Sequence, residues 1–181
     1  MNIDVYFLNK ADQFAGRWIP LDSVAIFLAE YMGYQLLLIL LAFIAINPKK
    51  YWKMVAGALA SGFVARMLIV QPIRWIMPRP RPFVAAPVTQ LVMRSPTASF
   101  PSGHAAFFFT LSFFVLFWMK KMDPPPKHCF LISAFFIISS TLIGSARIFC
   151  GIHWFSDIIG GLLVGYCCGL LGSIWTRKLP L

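Results

Sequence analysis

The sequence has little charge, and very little of that charge is acidic. Of 181 residues, 12% are charged and only 6 are Asp or Glu, whereas 59% are hydrophobic. This composition excludes an ordinary soluble domain and indicates a membrane protein. The formal net charge of +10 would suggest nucleic acid binding in a soluble protein. Here the lysines lie between apolar runs, so we expect membrane lipids and no nucleic acid as partners.

Metal-ligand, disulfide and targeting patterns are also missing. The four cysteines, Cys129, Cys150, Cys167 and Cys168, show no metal-ligand or disulfide spacing, and we interpret them as small apolar residues of helices. The first 20 residues lack a basic start followed by an apolar core, so we expect no cleavable signal peptide. No carboxylate cluster suits magnesium, and we expect neither a metal nor a cofactor.

Long apolar runs make up most of the chain. A helix that crosses a bilayer needs about 20 apolar residues, and five segments meet or nearly meet this length: 22–46, 52–74, 103–119, 129–148 and 155–176. In residues 1–20, apolar side chains recur at helical spacing opposite polar ones, which predicts an interfacial helix. The sequence therefore predicts one all-α domain over 1–181, a helical bundle with about five to six transmembrane helices in a core at 22–176.

The lysines indicate which loops share a side of the membrane. The loops at 47–51 and 120–128 and the C-terminal tail fall on one side, which carries most of the lysines. The other side holds the N-terminal segment, the 75–102 loop and the 149–154 turn, with many arginines but a single lysine, Lys10. Because lysine-rich loops stay in the cytoplasm, we expect a multi-pass protein of the cell (inner) membrane with a cytoplasmic C-terminus.

Three polar groups fall on the arginine-rich side, each at the end of a different helix. They are Arg74, Arg79 and Arg81 in "RWIMPRPRPF", the stretch "PSGH" at 101–104, and Arg147, His153 and Asp157 in "ARIFCGIHWFSD". Antiparallel packing brings these helix ends to one level, so we expect the three groups to converge.

Each group has a chemical and a structural interpretation. Ser102 is a good N-cap, and the amides that follow it, beginning at Gly103, suit an anion as well as a plain cap. His153 and Asp157 are four residues apart, so the carboxylate can hold one imidazole nitrogen and leave the other free as a nucleophile. The alternative is a structural pair at a helix start.

The arginines allow two interpretations as well. Arg74 and Arg81 are seven residues apart, and guanidinium groups suit phosphate oxygens. Arginines can also anchor a loop at lipid headgroups, the interpretation we favour for Arg79 or Arg94. Glu30 and Arg66 fall at similar depth in two predicted helices, and a buried ion pair is the interpretation we favour over a contact with lipid headgroups. The segment 83–100 either covers the site or is an ordinary connecting loop.

Together the three groups resemble the signature of the type 2 phosphatidic acid phosphatases, a superfamily of membrane lipid phosphatases related to vanadium haloperoxidases. The family pattern is K-x6-R-P, P-S-G-H and S-R-x5-H-x3-D. This chain has Arg74-x6-Arg81-Pro82, then Pro101-Ser102-Gly103-His104, then Ala146-Arg147-x5-His153-x3-Asp157. It departs from the pattern twice, with Arg74 in place of lysine and Ala146 in place of serine.

The resemblance implies a metal-independent phosphatase with a phosphohistidine intermediate. It implies that His153 attacks phosphorus, that Asp157 orients His153, and that His104 protonates the leaving oxygen and later activates water. It also implies five phosphate-binding residues: Arg74, Arg81, Ser102, Gly103 and Arg147. The expected partner is a lipid phosphate or diphosphate at an extracytoplasmic site; the oligomeric state is not predicted.

The small size and the opening "LDSVAIFLAEY" are similar to bacterial undecaprenyl diphosphate phosphatases of this superfamily, some of which have aspartate where Gly103 stands. The expected function is therefore recycling of the cell-wall carrier lipid. Phosphatidylglycerophosphate, phosphatidate and lipid A phosphates are alternative substrates. An anion transporter or channel is a remote alternative, because the predicted cytoplasmic half has no matching polar path.

Overall fold

The computed structural model describes residues 2–178, which form eight helices and no strand. The helices are α1 (Ile3–Asp12), α2 (Ile19–Glu30), α3 (Met32–Ile46), α4 (Pro48–Ile76), α5 (Pro82–Ala85), α6 (Gly103–Lys120), α7 (Cys129–Phe149) and α8 (Phe155–Lys178). The predicted all-α class is confirmed.

Four helices, α4, α6, α7 and α8, are long and apolar enough to cross a membrane. Helices α2 and α3 meet at a bend of 46° and make a fifth span if the pair is counted as one. The five predicted segments thus correspond to helices, and the first of them, predicted at 22–46, is a pair of helices that meet at Tyr31. No sixth span occurs in residues 2–178, since α1 has only 10 residues.

The N-terminal segment is two helices, whereas a single interfacial helix was predicted over 1–20. Helix α1 ends at Asp12, Gly16 adopts a positive φ of 76°, and α2 begins at Ile19 with a proline in its first turn. The predicted apolar face is nevertheless exposed, as Ile3 and Phe14 show. The side of α1 that lies on the protein buries Asp4 and Leu8, so the helix packs on the bundle by a mixed face.

Helix α4 contains a seven-residue π-helical segment, Val64–Val70. Pro72, two residues after this segment, has no N–H to donate to the preceding turn, so regular α-helical bonding cannot continue through this point. The helix ends at Ile76, before the proline-rich stretch. The irregular segment carries Arg66, a charged residue within an otherwise apolar span.

Helices α6 and α8 run parallel and approach each other closely along a row of glycines. A Cβ atom at Gly161, Gly165 or Gly169 would lie 2.6–2.8 Å from a Cβ atom of α6, closer than side chains can pack. The two N-termini consequently meet, and the Ser102 amide donates a hydrogen bond of 3.0 Å to the backbone oxygen of Asp157. This packing places the PSGH stretch beside the His153–Asp157 pair.

The lysine-rich half of the bundle is filled by apolar side chains. Members of this core include Leu40, Met54, Phe114, Val115 and Met119, each with at most 1% of its surface exposed. The polar side chains of interest lie at the opposite, arginine-rich end. The bundle is therefore filled with apolar side chains at one end and contains a polar site at the other.

Candidate active site

His153 lies in the turn between α7 and α8 and is fixed by the first turn of α8. Its Nδ1 is 3.1 Å from Oδ2 of Asp157, and the same oxygen accepts a hydrogen bond of 2.9 Å from the Trp154 amide. Both side chains are buried. The structure thus brings together the two residues that the sequence paired, with Nδ1–H donating to the carboxylate.

The surroundings of His153 favour a neutral imidazole. Burial, and then the positive charges of Arg147, Arg81 and Arg74, lower the pKa of His153 well below its usual 6.5. The Nε2 atom lies 3.4 Å from Nη1 of Arg81, so it is the acceptor when Nδ1 carries the proton. An uncharged ring with a lone pair on Nε2 is the form that can act as a nucleophile.

Arg81 is held by backbone and hydroxyl oxygens and not by a carboxylate. Its Nε donates to the Thr97 carbonyl at 3.0 Å, its Nη1 to the Ile152 carbonyl at 3.0 Å, and its Nη2 to Oγ1 of Thr97 at 3.3 Å. Burial lowers its pKa from the usual 12.5, but a guanidinium remains protonated at neutral pH. Its positive charge is therefore oriented beside His153 without being neutralised by a bonded carboxylate.

The PSGH stretch forms the start of α6. Ser102 is buried and caps the helix, with its Oγ accepting from the Ala105 amide at 3.4 Å. A Cβ atom at Gly103 would meet nothing nearer than 3.8 Å, and two of the three nearest atoms belong to Arg66 and Arg74. Arg74 itself donates from Nε and Nη2 to the Pro101 carbonyl at 3.1 and 2.9 Å. The Gly103 backbone at this helix N-terminus therefore lies between the Arg74 guanidinium and the aliphatic part of the Arg66 side chain.

Arg147 is the largest fully buried side chain of the structure. Its Nη1 donates to the Ala29 carbonyl at 2.8 Å and lies 3.7 Å from Oε1 of Glu30. Glu30 is bound by both carboxylate oxygens to Arg94. The predicted Glu30–Arg66 ion pair is therefore wrong, because the loop after α5 brings Arg94 to Glu30 instead. Arg94 is likewise not a headgroup anchor.

These side chains enclose a cavity of about 130 Å³, with no Asp or Glu among its lining residues in the part of the chain described. It is lined by Arg66, Val70, Gln71, Arg74, Arg81, Arg94, Gly103, His104, Arg147 and His153. Six of the eight predicted site residues thus line one cavity. The other two, Ser102 and Asp157, lie directly behind it, where they cap α6 and hold His153. Sequence reasoning did not assign Arg66 or Arg94 to the site, although a charge inside an apolar span was a usable signal for Arg66.

Arg79 occupies a position that the sequence did not predict. Its Nη1 donates to Oδ1 of Asp157 at 3.1 Å and to Oγ of Ser156 at 2.6 Å, and its Nη2 donates to Oδ2 of Asp4 at 2.8 Å. Burial raises the pKa of Asp4, but the hydrogen bonds from Arg79 and Ser156 outweigh it, so this pKa is lowered overall. Arg79 therefore supports the carboxylate of Asp157 and is not a headgroup anchor.

A second cavity of about 290 Å³ adjoins the first. Arg66 and His104 line both cavities. Glu30 is the further charged residue of the second cavity, which is otherwise formed mainly by apolar and aromatic side chains: Ala29, Gly33, Tyr34, Leu37, Phe107 and Phe108. A polar chamber thus leads into a mostly apolar groove, the shape that suits an amphiphile with an anionic head.

The arrangement suits phosphoryl transfer. A neutral imidazole faces a chamber with five arginines, and a second imidazole lines the same chamber. Burial raises the pKa of the nearby Cys150 thiol to about 12, which leaves His153 as the better nucleophile. Residues 2–178 contain no group of three or more His, Cys, Asp or Glu side chains placed to hold a metal ion.

Comparison with known proteins agrees with this chemistry. The PAP2 superfamily model matches residues 50–180. The undecaprenyl-diphosphatase BcrC of Bacillus subtilis (strain 168) is 33% identical over 151 residues, which cover 83% of this chain and 72% of that protein. The crystal structure of Aquifex aeolicus LpxE is similar with a TM-score of 0.71 and 25% identity, and covers 95% of each chain.

A second solved structure shares the fold at lower identity. It is a PAP2 type phosphatidylglycerolphosphate phosphatase from Bacillus subtilis, with a TM-score of 0.73 and 22% identity over 97% of this chain and 85% of that chain. The family match contains all three motifs, from Arg74 to Asp157. The resemblance seen in the sequence is thus confirmed: the chain belongs to the PAP2 superfamily and is a multi-span membrane phosphatase.

Proposed function

We propose that this phosphatase removes the distal phosphate of undecaprenyl diphosphate, without a metal and through a phosphohistidine at His153. The observation that carries the mechanism is that His153 and His104 line one arginine-rich cavity, with Asp157 bonded to Nδ1 of His153. The substrate is supported by the 33% identical relative, which is named an undecaprenyl-diphosphatase.

In the first step, Nε2 of His153 attacks the distal phosphorus. The bond from that phosphorus to the bridging oxygen breaks, and its electron pair leaves with undecaprenyl monophosphate, which takes a proton from His104. His104 lines both cavities, so it stands where the bond between the transferred phosphoryl group and the rest of the lipid would lie. Asp157 stabilises the positive charge that develops on the His153 ring.

In the second step, water replaces the lipid. His104, now neutral, accepts a proton from the water as the water oxygen attacks phosphorus, and the bond from phosphorus to Nε2 breaks. Inorganic phosphate leaves and both imidazoles return to their starting states. Positioning and charge stabilisation dominate catalysis of phosphoryl transfer. The phosphate would be positioned and its charge stabilised by Arg74, Arg81 and Arg147, together with the Gly103 amide. Ser102 orients this amide as the cap of α6.

Other substrates and a transport function receive less support. Phosphatidylglycerophosphate, phosphatidate and lipid A phosphates would offer the same phosphoryl group to the cavity. A transporter would need a polar route through the bundle, whereas the lysine-rich half is filled by the apolar core around Phe114. This core favours an enzyme that works at one membrane surface.

The test is phosphate release from a panel of detergent-solubilised lipids in the presence of EDTA. We expect undecaprenyl diphosphate to have the highest kcat/KM, and His153→Ala to lose at least about 10³-fold of the activity. His128→Ala is the matched control, because His128 is exposed in the loop before α7. Activity that needs added magnesium, or that survives His153→Ala, contradicts the mechanism. A higher kcat/KM for phosphatidate or phosphatidylglycerophosphate than for undecaprenyl diphosphate contradicts the proposed substrate.

We also propose that the site faces away from the cytoplasm in the cell (inner) membrane, with the C-terminus in the cytoplasm. The support is that the lysine-rich loops lie at the end of the bundle opposite the cavity. The same assay on sealed vesicles tests this with a short-chain, membrane-impermeant prenyl diphosphate. Right-side-out vesicles should hydrolyse it at once and inverted vesicles only after detergent; the reverse result places the site in the cytoplasm.

A further inference from the structure

Arg66 is a charged residue without a structural partner in the part of the chain that the structure describes. It lies in the π-helical segment of α4, and residues 2–178 provide it with no hydrogen bond and no salt bridge, whereas Glu30 pairs with Arg94. A charge inside a membrane span is unfavourable unless it faces a cavity or a partner, and such residues usually mark ligand sites. The charge of Arg66 is therefore placed to contact a ligand and does not stabilise the fold through an ion pair.

The other arginines of the cavity are already oriented by the protein. Arg74, Arg81 and Arg147 each donate to a backbone carbonyl, of Pro101, Ile152 and Ala29 respectively. Arg94 is held by Glu30. Arg66 differs from these four because it has no such anchor, and because it alone among the five arginines also lines the apolar groove.

The positive charge around the first cavity also exceeds the negative charge of one phosphoryl group. Five arginines line the first cavity, and Glu30 is the carboxylate that binds among them. Asp157 is bonded to His153 and Arg79 instead. A terminal phosphate group carries about −1.5 to −2 charges, which the three anchored arginines can neutralise. The remaining positive charge lies at the junction with the groove, where a second phosphate would be found in a diphosphate.

We propose that Arg66 binds the proximal phosphate of a lipid diphosphate and so makes the enzyme prefer diphosphates over monophosphates. The inference rests on the proposed phosphatase mechanism, with the distal phosphorus beside His153 and the lipid chain in the groove. His104 and Arg66 then both contact the leaving group, which is the lipid monophosphate. His104 gives the bridging oxygen its proton, while Arg66 stabilises the negative charge of the departing lipid monophosphate.

The test compares farnesyl diphosphate with farnesyl monophosphate, two soluble substrates with the same chain. We expect wild-type protein to favour the diphosphate, and Arg66→Gln to lower kcat/KM for the diphosphate by about 10- to 100-fold, the range of a hydrogen bond to a charged group. For the monophosphate we expect a change below about 3-fold. Arg66→Lys keeps the charge and should recover part of the preference.

The controls separate binding from folding and from general electrostatics. Arg17→Gln removes one positive charge from an exposed residue at the same end of the bundle and should leave the ratio of the two kcat/KM values unchanged. If Arg66→Gln does not fold, Arg66→Lys carries the test: full loss of activity toward both substrates in a folded Arg66→Lys overturns the inference.

Two other outcomes are decisive and distinct. Equal losses for both substrates in Arg66→Gln overturn the role of Arg66 and leave the proposed function standing, provided that the wild type favours the diphosphate. Wild-type protein that hydrolyses only monophosphates overturns the proposed diphosphatase function and this inference with it.

Discussion

At the residue scale, a chain of hydrogen bonds connects the N-terminal helix to His153. Asp4 accepts hydrogen bonds from Arg79 and from Ser156, Arg79 donates to Asp157, and Asp157 binds His153. Asp4 does not reach the cavity, so it is a positioning residue. Its charge keeps Arg79 in the orientation that holds Asp157 behind the imidazole.

We predict that Asp4→Asn lowers kcat by about 10-fold, because a small misplacement of a catalytic group is sufficient for such a loss. KM should change little, since no phosphate-binding residue is touched. Steady-state kinetics on the purified protein gives both values. Asp12→Asn is the control from the same helix: its Oδ1 accepts from the Thr89 amide, and Asp12 makes no hydrogen bond to Arg79 or Ser156. Equal kcat for the two variants would contradict the positioning role.

The sequence predicted the residues whose partners are near in the chain better than those with distant partners. The His153–Asp157 contact follows from a four-residue spacing, and the Ser102 cap follows from the start of α6. Arg94 and Arg79 were misassigned to lipid headgroups because their carboxylate partners are 64 to 78 residues away. Such pairings depend on how the loop between α4 and α6 folds, and no local pattern encodes that.

At the element scale, helix ends with local signals agreed closely with prediction. The observed bounds of α6 and α7 lie within one residue of the predicted ones. A serine cap and a glycine mark the start of α6, and a hydrophobic run marks each helix. The bend between α2 and α3 was not predicted. A Cβ atom at Gly33 would lie 2.3 Å from the ring of Phe108, so the geometry there is set by contact with α6, which is a tertiary effect.

The glycine row of α8 gives a prediction about this packing. In Gly165→Ala, the added methyl group would lie 2.6 Å from Cβ of Phe109 and 2.9 Å from the Thr110 backbone nitrogen. We expect α6 and α8 to be forced apart, with a loss of about 1–3 kcal/mol in the free energy of unfolding. Thermal unfolding in detergent measures this as a lower Tm. Cys167→Ala, at an exposed position of the same helix, should leave Tm unchanged; equal Tm values would show that the contact does not matter.

At the scale of the whole molecule, the two ends of the bundle have different tasks. One end is closed by the apolar core, and its loops carry the lysines. The other end contains the polar cavity and the groove that adjoins it. The end of the bundle at which each loop lies could be predicted, because successive spans run in alternating directions; the side of the membrane stays a prediction. The cavities could not, because they arise from the bend, the π-helical segment and the loop that brings Arg94 to Glu30.

The central claim is that His153 becomes phosphorylated during turnover, and the most direct measurement is to trap that intermediate. The enzyme would be mixed with prenyl diphosphate that carries radioactive phosphorus in its distal phosphate, quenched in alkaline detergent, and digested for peptide mapping. We predict protein-bound label that is stable to alkali and lost in acid, located on the peptide that contains His153 and absent from His153→Gln. Label on another residue, or turnover without any labelled protein, would contradict the account.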